Sequence, residues 1–74
     1  MKKLTIKQKM VLEFVINFIK ENNYPPTINE ICHALSFKYP NSVFVVLLNL
    51  ETKGYISTTS GKSRTIKILK GIDE

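Results

Sequence analysis

In this 74-residue chain no side chain capable of covalent chemistry stands in a catalytic pairing. There is one cysteine, Cys32, which excludes an internal disulfide and a cysteine-built zinc site. His33 has no ligand partner one helical turn away, so it reads as a surface histidine, with a phosphate contact as the minor alternative. The hydroxyl-rich run from Ser57 to Ser63 lacks a base to activate a nucleophile and reads as turn chemistry. Paired carboxylates, a metal-ligand cluster and a phosphate-cradling glycine loop are all missing from the pattern. The expectation is a non-enzyme with no catalytic residue, no metal site and no cofactor.

What remains is the chemistry of charge and of hydrogen-bonding edges. The net charge is +5, and its distribution says more than its total. Residues 1–10 hold Lys2, Lys3, Lys7 and Lys9 with no acid. Residues 11–37 set Lys20 against Glu13, Glu21 and Glu30. Residues 38–70 carry Lys38, Lys53, Lys62, Arg64, Lys67 and Lys70 against Glu51 alone. Two basic segments around a neutral scaffold suit a polyanion, although a merely soluble basic surface has the same charge. Composition is that of an ordinary globular domain, with 43% hydrophobic and 23% charged residues. The longest apolar run, Val43 to Leu48, is far too short to cross a bilayer. The N-terminus lacks the marks of a signal peptide, so a cytoplasmic protein without membrane contact is expected.

The elements that must position these groups follow from periodicity and punctuation. Thr5-Ile6-Lys7-Gln8 has the form of a capping box, opening a helix that runs to Asn23. Leu12, Val15, Ile16 and Ile19 form its apolar stripe, widened by Val11, Phe14 and Phe18. Met10 and Ile16 extend the apolar surface beyond what one buried face requires. Pro25-Pro26 ends this segment. Thr27-Ile28-Asn29-Glu30 is a second capping box, starting a short helix to about Leu35 with core face Ile28, Ile31, Cys32 and Leu35. Ser36 to Tyr39 is a turn. The third segment, about 41–53, is β-branched and aromatic and alone would suit a strand. Its length, the face formed by Val43, Val46, Leu47 and Leu50, and Gly54 as a cap favour a helix. Residues 55–58 and 65–69 read as strands flanking a turn-rich 59–64. The whole reads as a mostly α domain with a small β-hairpin over residues 1–70, followed by a tail or linker at 71–74.

The residues that sharpen this pattern are Leu4-Thr5 with Gln8, Tyr24-Pro25-Pro26-Thr27 with Glu30-Ile31 and Leu35, then Phe37, Pro40-Asn41 and Lys53-Gly54. Ser60-Gly61-Lys62-Ser63-Arg64 with Ile66 completes the set. Through them, residues 4–69 resemble the N-terminal DNA-binding domain of LexA-type repressors of the bacterial DNA-damage (SOS) response. The resemblance implies a winged helix-turn-helix of three helices plus a two-stranded wing. It implies sequence-specific binding of double-stranded DNA, with the third helix in the major groove and the wing on the backbone. Base-edge contacts carried over fall at Tyr39, Asn41, Ser42, Phe44 and Val45, and backbone contacts at Lys53, Ser60, Lys62 and Arg64. Asn41 suits bidentate pairing with adenine, and Thr27 stands where a helix N-terminus favours phosphate. A homodimer on a palindromic or repeated site is implied as well.

The chain departs from the family pattern in three places. Phe44, Val45 and Leu48 stand where LexA proteins generally carry polar or charged side chains. On a helical wheel Asn41, Val45, Leu48 and Thr52 lie opposite the core stripe, with Phe44 beside them. Such a surface can touch thymine methyls but offers few hydrogen bonds. Ser36 replaces a common glycine. LexA repressors also continue into a self-cleaving, dimerising domain with a Ser–Lys pair. This chain stops near the start of that linker, so it is expected to be either a fragment or a free-standing phage or mobile-element regulator. The alternative function is a protein-interaction module that dimerises or docks onto a partner regulator through its apolar surfaces.

Overall fold

A computed structural model describes residues 4–59 and 64–71. Its elements in chain order are α1 (Ile6–Asn22), α2 (Ile28–Ala34), α3 (Pro40–Thr52), β1 (Ile56–Ser57) and β2 (Lys67–Ile68). Three helices followed by an antiparallel hairpin form a winged helix-turn-helix, as the sequence predicts.

Each helix starts and stops for a local chemical reason. At α1 the Gln8 amide donates to Thr5 Oγ1 and the Thr5 amide donates to Gln8 Oε1, both at 3.2 Å. At α2 the Glu30 amide donates to Thr27 Oγ1 at 3.1 Å, and the Thr27 amide donates to Glu30 Oε1 at 3.0 Å. These are complete capping boxes, each satisfying backbone donors that a helix start leaves open. Pro40 occupies the first turn of α3, where its missing N–H costs nothing.

The C-terminal stops of α2 and α3 share one geometry. After α3 the Tyr55 amide donates to Leu50 O and the Gly54 amide to Glu51 O, each at 3.0 Å. Gly54 takes the left-handed conformation this Schellman closure needs, at φ +86°. After α2 the Phe37 amide donates to Cys32 O at 2.9 Å and the Ser36 amide to His33 O at 3.4 Å. There the left-handed position is held by Ser36, at φ 58°. Cys32 Sγ also donates to Phe37 O at 3.2 Å, so its thiol supports the turn.

The core lies where α3 crosses α1 and α2 and meets β1. Val43, Val46, Leu47 and Leu50 of α3 are all buried, against Val11, Leu12 and Val15 of α1 and Ile31 of α2. Tyr55, Ile56 and Ile66 close it from the hairpin side. Burial of that one face overrides the strand preference of residues 43–48, because only a helix brings the four residues to one side. Two details depart from expectation. Ile16 packs against the core, so the surplus apolar surface of α1 lies at Met10 and Ile6. The paired strands are also shorter than the extended segments at 55–58 and 65–69, with register Ile56 to Ile68 and Ser57 to Lys67. Beyond them side chains replace the ladder: Thr59 N–H donates to Thr65 Oγ1 at 3.1 Å, and that hydroxyl donates to Thr59 O at 3.3 Å.

Candidate nucleic-acid interface

The face of α3 opposite the core stays uncovered. Asn41, Ser42, Asn49 and Thr52 are exposed there, and Phe44, Val45 and Leu48 expose 46%, 47% and 45% of their surfaces. Side by side on one helix face, these three side chains form a contiguous apolar patch. Tyr39 precedes the helix at its N-cap and makes no side-chain cap bond; it is 60% exposed, with the Lys38 ammonium 6.0 Å from its ring centre. The base-edge candidates Tyr39, Asn41, Ser42, Phe44 and Val45 therefore lie together on and just before the exposed face of α3.

The backbone-contact candidates are placed differently. The Lys53 ammonium lies 2.6 Å from Gln8 Oε1, tying the end of α3 to the start of α1. Gln8 is itself buried, a role that its place in the capping box does not announce. The Thr27 hydroxyl and amide are both engaged with Glu30. Ser60 and Lys62 lie outside the described residues.

Arg64 is the best-anchored of the described ones. Its guanidinium donates to Glu30 Oε1 at 3.0 Å and to Oε2 at 2.8 Å, a fork-on-fork pairing, and to Pro25 O at 3.2 Å. It also stacks over Tyr24, 4.7 Å from the ring centre, and Tyr24 meets Phe18 edge-on at 5.7 Å. Hydrogen bonding from Arg64, and then from the Thr27 backbone, holds the Glu30 carboxyl below its ordinary range. Arg64 itself sits at φ 55°. Glu30 thus serves two masters, closing the α2 cap and holding the base of the wing. The sequence reading assigned neither Glu30 nor Tyr24 to the wing, because the contact spans 34 positions and leaves no local pattern. Between the start of α2, the middle of α3 and the wing base runs a groove of about 500 Å³, with Phe44 and Leu48 among its lining residues.

A tight turn between α2 and α3, an exposed face on the second of these helices and a hairpin beside them define the winged helix-turn-helix class. The family model for the LexA DNA binding domain matches residues 1–65, and the chain belongs to that family. It is similar to the LexA repressor of Desulfatibacillum aliphaticivorans, at 44% identity over 70 residues, covering 95% of this chain and 34% of the relative. The LexA repressor of Caldicellulosiruptor saccharolyticus is 46% identical over 68 residues, covering 92% and 34%. That of Thermotoga maritima is 42% identical over 72 residues, covering 97% and 36%. The chain spans about a third of the length of these relatives. No helix among the described residues is long and apolar enough to cross a membrane.

Proposed function

We propose that this chain binds double-stranded DNA sequence-specifically, as the reading head of a LexA-like transcriptional repressor. In this reading α3 enters the major groove with Tyr39, Asn41, Ser42, Phe44 and Val45 toward the base edges. The segment 59–64 lies on the backbone, where Ser60 and Lys62 contact phosphates, and Thr27 and Lys53 flank the same face. Arg64 acts mainly by holding that segment against α2. Two copies bind together on a symmetric or repeated site in the cytoplasm, since one module alone offers few contacts. The observation that carries the proposal is the free outward face of α3 in a chain of the LexA DNA-binding family.

The exposed Phe44, Val45 and Leu48 also support a second reading, in which the domain dimerises or docks onto a partner regulator through that face. Selection from a randomised duplex pool at about 50 mM salt, where phosphate contacts are weakly screened, separates the two. Enrichment of a defined motif is the expected result. A folded chain that enriches nothing overturns the DNA reading and leaves the docking one.

A further inference from the structure

On an ideal helix, at about 100° per residue, Asn41, Phe44, Val45 and Leu48 fall within roughly 100° of arc, centred opposite the core stripe. Phe44, Val45 and Leu48 therefore fill the middle of the face, with Asn41 and Ser42 at its N-terminal end and Asn49 and Thr52 toward its C-terminal end. The three apolar side chains offer no donor or acceptor, so a base edge brought against them gains no hydrogen bond and loses its water. For an amino, keto or ring-nitrogen edge that loss is unfavourable. The major groove presents one apolar substituent, the thymine C5-methyl. Building on the DNA-binding reading above, we infer that this chain selects its site chiefly by apolar contact of Phe44, Val45 and Leu48 with thymine methyls. Asn41 sets the register by pairing with a neighbouring adenine.

Two consequences separate this mode from hydrogen-bonded readout. Preference at the central positions is for thymine over cytosine, which lacks the methyl and presents an amino donor in place of the keto acceptor. Its strength also depends on the methyl itself and not on the base-pairing edge.

The test takes the duplex enriched by the 74-residue chain and replaces each thymine singly by deoxyuridine, which keeps the base pair and removes only the methyl. Binding is measured by titration for the wild-type chain and for Phe44→Ala, Val45→Ala and Leu48→Ala. All three sites are surface positions, and circular dichroism confirms folding. The expected result is a loss of about fourfold at each contacted methyl, the value of one buried carbon, and no change at other thymines. At each such position one alanine variant binds thymine and uracil duplexes nearly equally. Sequence-selective binding that is indifferent to uracil at every position overturns the inference and leaves the DNA-binding reading standing. A uracil penalty that survives intact in all three variants also overturns it, since other residues then read the methyls. Absence of selective binding by the folded wild-type chain overturns both.

Discussion

Ser36 carries an unfavourable backbone conformation at a position no side-chain function demands. Its φ of 58° lies in the left-handed region, where an L-residue with a β-carbon costs about 1–2 kcal/mol. The Schellman closure of α2 requires that conformation, and the Cys32 thiol and Phe37 carbonyl help to hold it. Glycine, which commonly stands here in the resembling repressors, escapes the strain but loses more entropy on folding. The first effect is the larger, so Ser36→Gly raises unfolding free energy by about 0.5–1 kcal/mol. Urea denaturation checks this: the midpoint should rise with an unchanged slope. A lower midpoint would mean that Ser36 does something its geometry does not reveal. The same conformation at Asn23, φ 66°, is less costly, because asparagine tolerates it better than most residues.

At the scale of elements, the Arg64–Glu30 ion pair joins the wing base to α2, and that pair titrates. Glu30 ionises below its ordinary value of 4.5 because Arg64 and the Thr27 amide bind its charged form. Its contribution to stability is therefore complete above the pKa of the unfolded carboxyl, and is lost as pH falls through the depressed folded value. In an NMR acid titration, the Arg64 and Thr65 amide signals should move together with a midpoint below 4.5. Glu30→Gln keeps an acceptor for the Thr27 amide and removes the charge, so it should abolish that transition while α2 persists. An unchanged transition in the variant would assign the titration to another group. The capping boxes, the Gly54 stop and the buried face of α3 were legible in the sequence because each is encoded within a turn or two of helix. Arg64 on Glu30 and Lys53 on Gln8 were not, since they join positions 34 and 45 apart. Arg64 reads from the sequence as a phosphate contact, and its pairing with Glu30 is the part that no local pattern announces. The hairpin was legible as two extended segments but not in its paired length, because threonine hydroxyls take over from the ladder at Thr59 and Thr65. The exposed face of α3 was legible by default, as the positions left once the core stripe was assigned.

At the scale of the whole molecule, DNA binding as proposed rests on electrostatics as well as on apolar contact. Lys38, Lys67, Lys70 and Arg64 are exposed, Lys38 and Lys70 beside the rings of Tyr39 and Tyr55, while Lys53 and Arg64 make hydrogen bonds within the fold. If about five phosphates are neutralised, log affinity should fall against log salt with a slope near −4.5. A fluorescence-anisotropy series in salt measures it, and a slope near zero would favour docking to protein instead. The hydroxyl lock between Thr59 and Thr65, together with the Arg64 anchor, has a consequence for the history of such a domain. On either side of the segment 60–63, Thr59 and Thr65 are bonded to each other and Arg64 is bonded to Glu30 and Pro25. Doubling the length of such a connection costs only about 0.6 kcal/mol in closure entropy. A replacement or insertion between residues 59 and 64 that keeps Thr59, Arg64 and Thr65 therefore keeps the anchors on both sides of it. On α3 only outward positions such as Phe44, Val45 and Leu48 can change as freely, because Val43, Val46, Leu47 and Leu50 fill the core.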